Sequence, residues 1–265
     1  MIHSTAIIHP KAKLGADVTV GPYAVIDENV ELGDGCEAGP HVYITGVTKI
    51  GKQNKFHAGS VIGDAPQDLK YKNTPTRLRI GDNNVFRECV TLHRSTTPET
   101  ETVIGSNCLF MACSHVGHNS EVGNHVILAN GALLAGHVMV QDRVFISGNC
   151  AVHQFCRVGT LAMMQGGTFV SMDVPPYSIT HIGKNTLSGL NSVGLRRAGF
   201  TGEQRLELKQ LYRALFRSGK NLTTAVAEAK KDFKSPAAVT MLDFIASAKR
   251  GVCPDIHTHR EEEEE

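Results

Sequence analysis

Four histidines recur at matched points of a regular repeat and could take a proton from a hydroxyl group. They are His115, His118, His137 and His153. The first two flank Val116, and the other two follow apolar positions 18 and 36 residues further along. A neutral imidazole near pH 7 can act as a general base, and histidine clusters also bind zinc. Any one of them could instead be a satisfied polar group at a bend, so the spacing leaves three interpretations open.

Hexapeptide repeats are the elements that must position these histidines. Positions taken every six residues from Ile2 to Val170 are apolar at all but 3 of 29, the exceptions being Asp68, Thr74 and Pro98. A soluble chain of average composition would miss about half. Glycine often follows the apolar residue and supplies the backbone angles of a tight bend. The pattern predicts short strands, three of which close a triangular turn, and the turns stack as parallel strands.

Two segments, residues 67–79 and 95–103, interrupt the repeat but leave the six-residue spacing (the phase of six) unchanged. We expect both to form loops outside the coil. Stacked turns would place the four histidines on one side of three successive turns. By the same phase we expect residues 62 and 80 to share a face, so that the first loop reaches the histidines from below. Three polar residues of this loop are candidates for binding: Gln67, Asp68 and Lys70.

The apolar period changes toward 3.6 residues after the coil, which we place at residues 1–180. A helical domain is expected over 181–255 and a disordered, glutamate-rich tail over 256–265. Thr201 to Gln204 has capping-box spacing, and Ser235-Pro236 suits the start of a helix. The predicted helices lie near 185–198, 202–218, 221–233 and 236–250.

Composition narrows the classes of function. The 265 residues carry a formal net charge of +1, so no strong attraction to nucleic acid is implied. Seven scattered cysteines indicate free thiols in a reducing compartment, and the cytoplasm is the expected location. We expect no transmembrane segment, since no long apolar run occurs, and the N-terminus is unlike a signal peptide.

Three motifs carry a family resemblance. They are Gln67-Asp-Leu-Lys-Tyr71, Ala151-Val-His-Gln-Phe-Cys156 and Gly194-Leu-Arg-Arg-Ala-Gly-Phe200. In combination they closely resemble the UDP-N-acetylglucosamine O-acyltransferases of lipid A biosynthesis, over essentially residues 1–250. The resemblance implies a mainly β fold, a left-handed parallel β-helix of hexapeptide repeats with a C-terminal α-helical domain. The left hand comes from the resemblance alone, because it opposes the usual crossover rule.

The resemblance also implies an activity. Members transfer an (R)-3-hydroxyacyl chain from acyl carrier protein to the 3-hydroxyl of UDP-N-acetylglucosamine, the first step of lipid A biosynthesis. The implied assembly is a homotrimer with active sites in clefts between neighbouring coils. No cofactor or metal is implied beyond the phosphopantetheine arm of the carrier protein.

Residue by residue, His118 matches the general base, and the backbone N–H of Gly136 matches the donor to the oxyanion. The remaining matches are to substrate-binding groups. His115, His137, His153 and Gln154 match positions that hold the sugar and pantetheine. Asp68 and Lys70, with Gln67 beside them, match positions that hold the glucosamine end. Groups near the uridine and phosphates are matched by Asn191 and Arg197. Gly166 matches a stop for the acyl chain, and a small residue there implies a long chain. Met163, Met164 and Met172 nearby could reshape that groove, so the chain length stays open.

Three positions depart from the family pattern. Asn119 stands beside the base where an aspartate is expected, and an amide would orient the imidazole more weakly or from a different atom. Val193 replaces an expected acidic residue near the nucleotide, and Ala198 an expected basic one. The nucleotide contacts are therefore less well defined by the resemblance than the base.

The helical domain is expected both to cap the coil and to present a basic surface to an acidic carrier protein. The cations proposed for this surface are Arg196, Arg197, Arg205, Arg213, Arg217 and Lys220. Three alternative functions remain: an acetyl-CoA-dependent sugar acetyltransferase, a metalloenzyme of the γ-carbonic anhydrase type, and a catalytically silent scaffold. The long helical domain disfavours the metalloenzyme, and zinc analysis would separate it.

Overall fold

Short strands recur through the first 180 residues because each hexapeptide contributes one inward apolar side chain and then bends. The structure is a computed structural model and describes residues 1–257. Its strands are β1 (Ile7–Ile8), β2 (Lys13–Leu14), β3 (Thr19–Val20), β4 (Val25–Ile26), β5 (Val30–Leu32), β6 (Glu37–Ala38), β7 (Tyr43–Ile44), β8 (Val47–Ile50), β9 (Lys55–Phe56), β10 (Val61–Asp64), β11 (Arg77–Ile80), β12 (Val85–Phe86), β13 (Thr91–His93), β14 (Glu101–Ile104), β15 (Leu109–Phe110), β16 (His115–Val116), β17 (Glu121–Val122), β18 (Ile127–Leu128), β19 (Leu133–Leu134), β20 (Met139–Val140), β21 (Phe145–Ile146), β22 (Ala151–Val152), β23 (Arg157–Val158), β24 (Met163–Met164), β25 (Phe169–Val170), β26 (Ser178–Thr180) and β27 (Leu187–Leu190).

Successive strands go to three different sheets, so every third strand is a neighbour. One sheet runs β1-β4-β7 and onward to β25, a second runs from β2 to β23, and a third runs from β3 to β26 and ends on β27. All strand pairs are parallel except β26 with β27. The fold is thus mainly β, a three-sided parallel β-helix, as the repeat predicted.

The core is a column of stacked inward side chains. Phe56, Phe86 and Phe110 stack on successive turns, each ring centroid 4.9 Å from the next. Val116 pairs with Leu134, and Leu134 with Val152, in one sheet. The predicted stacking of the histidine-bearing turns is therefore confirmed.

The expectation that residues 62 and 80 share a face was wrong. Ile62 pairs with Leu92, whereas Ile80 pairs with Ile50 and Ile104 in a different sheet. The reason is that the first loop adds 12 residues to its turn, since Ile62 and Leu92 are 30 residues apart instead of 18. The insertion keeps the six-residue spacing of the inward residues, but it changes which of the three sheets a later residue joins.

Both loops are shorter than predicted, because their last residues rejoin the sheet. The first lies between Asp64 and Arg77, and β11 already occupies residues 77–79. The second spans residues 94–100, and β14 begins at Glu101. Extended pairing between β11 and β14 over four residues explains the difference.

The C-terminal helices are α1 (Ser192–Arg197), α2 (Gly202–Phe216), α3 (Leu222–Asp232) and α4 (Pro236–Ala246). The capping box at Thr201 and the Ser235 cap before Pro236 are confirmed. A helix beginning at 185 was wrong, because Leu187–Leu190 forms β27 and pairs antiparallel with β26. None of the helices within residues 1–257 is long and apolar enough to cross a membrane.

The chain after α4 returns to the coil as a strap, which we define as residues 251–257. Val252 bridges to Asp173, and Asp255 bridges to Leu187. The buried carboxylate of Asp255 accepts hydrogen bonds from Tyr212 at 2.6 Å and Arg217 at 3.0 Å. Of the tail expected at 256–265, only the first two residues are described, and the rest lies outside the described residues.

A second anchor joins the coil to α4. The Arg157 guanidinium donates to buried Asp173 at 2.8 Å and to the Phe244 carbonyl at 2.8 Å. It also lies over the Phe244 ring, 4.2 Å from the centroid. These contacts fix the helices on the last turns of the coil.

Candidate active site

His118 lies on the bend after β16, half-buried, with its ring held by its neighbour in sequence. Nδ1 lies 2.9 Å from the side-chain oxygen of Asn119. That oxygen also accepts from the backbone N–H of Thr96 at 3.1 Å, which identifies it as the amide oxygen. Nδ1 must then carry the proton and donate. Nε2 is left with a lone pair, the state that a general base requires.

Gly136 supplies both space and a donor beside this ring. A Cβ added at Gly136 would lie 2.5 Å from Cε1 and 2.6 Å from Nε2 of His118, so only glycine leaves room for the imidazole. Within residues 1–257 the Gly136 N–H donates to no acceptor, whereas those of Ala135 and His137 are paired. A free backbone donor next to a base is the arrangement that stabilises an oxyanion formed in acyl transfer.

His137 occupies a corner of the coil in the left-handed conformation, with φ +58°. Its ring is edge-on to His118, at 5.3 Å between centroids, and stacks on Phe155 at 4.7 Å. Partial burial and the neighbouring His118 lower its pKa, and the carboxylate of Asp68 opposes this shift. The first loop therefore does reach the histidines. Asp68 in turn accepts from the backbone N–H of Lys70 at 2.8 Å.

His115 is held as a neutral imidazole. Its Nδ1 lies 2.7 Å from the hydroxyl of Thr91, on the turn below. Burial, and then the neighbouring histidines His93 and His118, lowers the pKa of His115 to about 4. It can therefore offer hydrogen bonds near pH 7 without carrying charge.

His93 is a site neighbour that the sequence reasoning missed. It is buried, its ring is edge-on to His115 at 4.9 Å, and its Nδ1 has no hydrogen-bond partner among residues 1–257. Burial is the main cause that lowers its pKa. A signal was present, because His93 follows the inward Leu92 at a point of the repeat where glycine often stands, as Gly117 follows Val116.

A groove of about 780 Å³ runs along the outer face of β16, β19, β22 and β25. Its floor is apolar, with exposed Leu133 and Phe169 on either side of half-buried Ala151. Polar groups stand at its two ends, Gln67 and His115 at one and His153 and Lys184 at the other. An apolar channel that begins at the histidines suits an acyl chain. A cavity of about 800 Å³ near the first turns contains none of the predicted site residues.

His153 is exposed at the far end of the groove and touches a second residue that the sequence reasoning missed. Its Nδ1 lies 3.3 Å from the guanidinium of Arg250, which also donates to the Ser171 carbonyl at 3.3 Å. The Gln154 carbonyl lies 3.1 Å from the same Nδ1. Arg250 follows the helices, so no local pattern in the coil could have placed it here.

Known proteins resemble this chain over nearly its whole length. The family described as "Udp N-acetylglucosamine O-acyltransferase; Domain 2" matches residues 173–253, and the bacterial transferase hexapeptide family matches residues 101–136. The acyl-[acyl-carrier-protein]--UDP-N-acetylglucosamine O-acyltransferase of Thermodesulfovibrio yellowstonii is 45% identical over 254 residues, which covers 95% of this chain and 98% of that protein. The enzyme of the same name from Herminiimonas arsenicoxydans is 42% identical over 259 residues, with the same coverage of both chains.

The chain belongs to the UDP-N-acetylglucosamine O-acyltransferase family. Solved members of this O-acyltransferase family share its fold. The UDP-N-acetylglucosamine acyltransferase of Bacteroides fragilis superposes with a TM-score of 0.91 at 39% identity and covers 95% of this chain and 99% of its own. The Francisella novicida enzyme gives a TM-score of 0.93 at 38% identity, covering 97% and 95%.

Four residues expected in this acyltransferase site lie away from the groove of a single chain. The Asn191 side chain caps α1, accepting from the Gly194 N–H at 2.9 Å and donating to the Leu161 carbonyl at 2.9 Å. Arg197 is exposed in the last turn of α1. Gly166 is exposed on a bend, and Met163 is half-buried on β24. None of the four lines the groove, whose lining includes Gln67, His115 and His153 from the predicted site; His118 and Gly136 stand beside the groove, next to its lining residue Ala135.

Within residues 1–257, no three His, Cys, Asp or Glu side chains are placed to hold a metal ion together. In the histidine cluster, the Nδ1 atoms of His115 and His118 are already engaged by Thr91 and Asn119.

Proposed function

We propose that this protein transfers an (R)-3-hydroxyacyl chain from acyl carrier protein to the 3-hydroxyl of UDP-N-acetylglucosamine, the first step of lipid A biosynthesis. One observation carries the proposal: Nε2 of His118, the ring nitrogen that Asn119 does not engage, lies against Gly136, whose N–H donates to no acceptor within residues 1–257, beside an apolar groove. The relatives named for this acyl transfer support the identity of donor and acceptor.

The chemistry requires one base and one oxyanion donor. Nε2 of His118 takes the proton of the sugar hydroxyl as that oxygen forms a bond to the thioester carbon. The carbonyl oxygen becomes an oxyanion and accepts from the Gly136 N–H. The carbon–sulfur bond then breaks, and the imidazolium returns its proton to the thiolate of the phosphopantetheine arm. The proposal needs no further cofactor.

Loop and histidine side chains would hold the substrates around this centre. Asp68, whose carboxylate acts on the pKa of His137, and Lys70 would bind the glucosamine ring, with Gln67 at the mouth of the groove. Neutral His115 would donate or accept without adding charge. The sugar and pantetheine would also contact His137, His153 and Gln154.

We propose a homotrimer with active sites between coils, in which a neighbouring copy of the chain supplies the nucleotide contacts. In one chain Asn191 and Arg197 lie off the groove, and Asn191 fixes the start of the helix that carries Arg197. The exposed guanidinium of Arg197 would reach the phosphates bound on a neighbouring coil. Gly166 and Met163 would bound the acyl chain at the same interface, and the small Gly166 favours a long chain.

The acyl carrier protein would dock on exposed cations of the helices. Arg205, Lys209 and Arg213 follow one another at intervals of four on α2 and therefore share a face, on which Lys209 and Arg213 are exposed and Arg205 is half-buried. Two of the cations expected for this role are engaged elsewhere: Arg217 binds Asp255, and Lys220 binds Glu228 at 2.5 Å. We place the enzyme in the cytoplasm, where seven free thiols suit a reducing environment.

The deciding experiment is an acyl-transfer assay with UDP-N-acetylglucosamine and carrier proteins that bear 3-hydroxyacyl chains of graded length. We expect transfer to be fastest with a long chain, and a coupled step that consumes the product should pull the reaction forward. Acetyl-CoA serves as the competing donor. Turnover with acetyl-CoA but with none of the acyl carrier proteins would overturn the proposal in favour of a sugar acetyltransferase.

A further inference from the structure

The second loop, residues 94–100, forms hydrogen bonds with both the oxygen and the nitrogen of the Asn119 side-chain amide. The amide oxygen accepts from the backbone N–H of Thr96 at 3.1 Å and from its hydroxyl at 2.9 Å. The amide nitrogen donates to the hydroxyl oxygen of Thr100 at 2.8 Å. The loop is itself closed by the Ser95 hydroxyl, which donates to the Thr100 carbonyl at 2.6 Å.

Backbone groups set the direction of this hydrogen-bond chain. The Thr96 N–H can only donate, so it requires the oxygen of the amide. The Thr100 hydroxyl donates its proton to the Thr97 carbonyl at 3.0 Å and so presents a lone pair to the amide nitrogen. A flipped Asn119 would oppose donor to donor at Thr96 and acceptor to acceptor at Thr100.

We propose that Thr96 and Thr100 are positioning residues for the base. By holding the amide oxygen of Asn119 toward Nδ1 of His118, they keep the proton on Nδ1 and leave Nε2 free. This inference rests on the proposed function, in which Nε2 of His118 accepts the sugar proton. The loop thus selects a histidine tautomer without touching the histidine.

An amide beside the base needs the hydrogen bonds of Thr96 and Thr100 to fix its orientation (together, the clamp), whereas a carboxylate does not. Both oxygens of an aspartate accept hydrogen bonds, so either would orient the imidazole. In a Ser-His-Asp triad, replacing the aspartate by asparagine stabilises the wrong tautomer and lowers kcat by about 10⁴. Asn119 avoids that outcome because Thr96 and Thr100 dictate which end of the amide faces His118.

The test compares four enzymes: the wild type, Thr100→Val, Asn119→Asp, and the double variant with both changes. Thr100 is exposed, so valine should not disturb folding. We expect Thr100→Val alone to lower kcat about tenfold with little change in KM. In the Asn119→Asp background the same change should cost less than about twofold, because a carboxylate has no wrong orientation.

Histidine-selective ¹⁵N NMR supplies a readout that a merely structural loop would not change. We expect Thr100→Val to shift His118 toward the tautomer protonated on Nε2, and the double variant to keep the proton on Nδ1. An equal loss of kcat in both backgrounds, or a tautomer unmoved by Thr100→Val, would overturn the inference. If the wild type transfers no acyl chain, the proposed function fails, while the tautomer comparison still decides whether the clamp operates.

Discussion

The imidazole of His118 lies directly against the Cα of Gly136, the residue 18 positions later on the next turn of the coil. A Cβ at Gly136 would meet three atoms of that ring, the nearest at 2.5 Å. The repeat therefore does more than bring the two residues close. It also places the His118 ring in contact with the backbone of Gly136, whose N–H would donate a hydrogen bond to the oxyanion.

Replacing Gly136 by alanine should displace the base without removing any catalytic group. We expect kcat to fall by about 10², because a shift of about 1 Å at a reacting group can cost that much. Steady-state kinetics would measure it. Gly202→Ala is the control, since Gly202 has no neighbour within 4 Å of an added Cβ and should retain wild-type turnover. Wild-type activity in Gly136→Ala would contradict the geometry.

Removing the base itself should be more severe. His118→Ala is expected to lower kcat by about 10² to 10⁴, the usual contribution of general base catalysis. The His118 side chain is half-buried and lies outside the hydrophobic core, so the proposed homotrimer should persist in size-exclusion chromatography. An enzyme that keeps half its rate without His118 would show that the base lies elsewhere.

Acid should destabilise the fold through its buried histidines. Folding lowers the pKa of His115 from 6.5 to about 4, so the unfolded chain binds more protons between these pH values. The free energy of unfolding should therefore fall as the pH drops from 6.5 to 4, by about 3 kcal/mol for this residue. Denaturant titrations at fixed protein concentration should show a shallower pH dependence in His115→Asn. An unchanged slope would mean that His115 does not carry the effect.

The anchor between coil and helices should be costly to break. Asp173→Asn leaves Arg157 without its buried partner, and we expect a loss of about 3 kcal/mol in the free energy of unfolding. The matched control is Asp243→Asn, which removes an exposed ion pair with Lys230 and should cost less than about 1 kcal/mol. Equal losses in the two variants would argue that Arg157 gains little from Asp173.

The row of cations on α2, Arg205, Lys209 and Arg213, predicts how the carrier protein binds. Reversing charge at Arg205 and Arg213 should raise the KM for acyl carrier protein and weaken its dependence on salt, since exposed charges steer association. Lys231→Glu, on α3, is the control and should leave that KM near the wild-type value. A wild-type KM that stays flat as salt is added would exclude electrostatic docking on these helices.

Much of the fold could be predicted because one period governs most of the chain. The phase of six identified the inward residues and correctly stacked Val116, Leu134 and Val152. It failed for residues 62 and 80, since an inserted loop changes the number of residues in a turn without disturbing the phase. The start of the first helix failed because Leu187 and Leu190 have the spacing of a helix face, yet pair with β26.

The candidate site was harder to predict than its framework. Resemblance supplied His118 and Gly136, but the hydrogen bonds that fix the tautomer of His118 come from Thr96 and Thr100 in a loop that no period describes. Arg250 reaches His153 across 97 positions of sequence. Contacts of this kind depend on where irregular segments fold back, which local patterns do not encode.

The strap that closes over the coil has a consequence for synthesis on the ribosome. Val252 and Asp255 pair with Asp173 and Leu187, which are translated 79 and 68 residues earlier. Until residues 251–257 emerge from the ribosome, the last strands of the nascent coil stay unpaired. Neighbouring nascent chains on the same messenger RNA could then pair with these strands. Translation that stalls before Val252 should therefore favour aggregation between nascent chains.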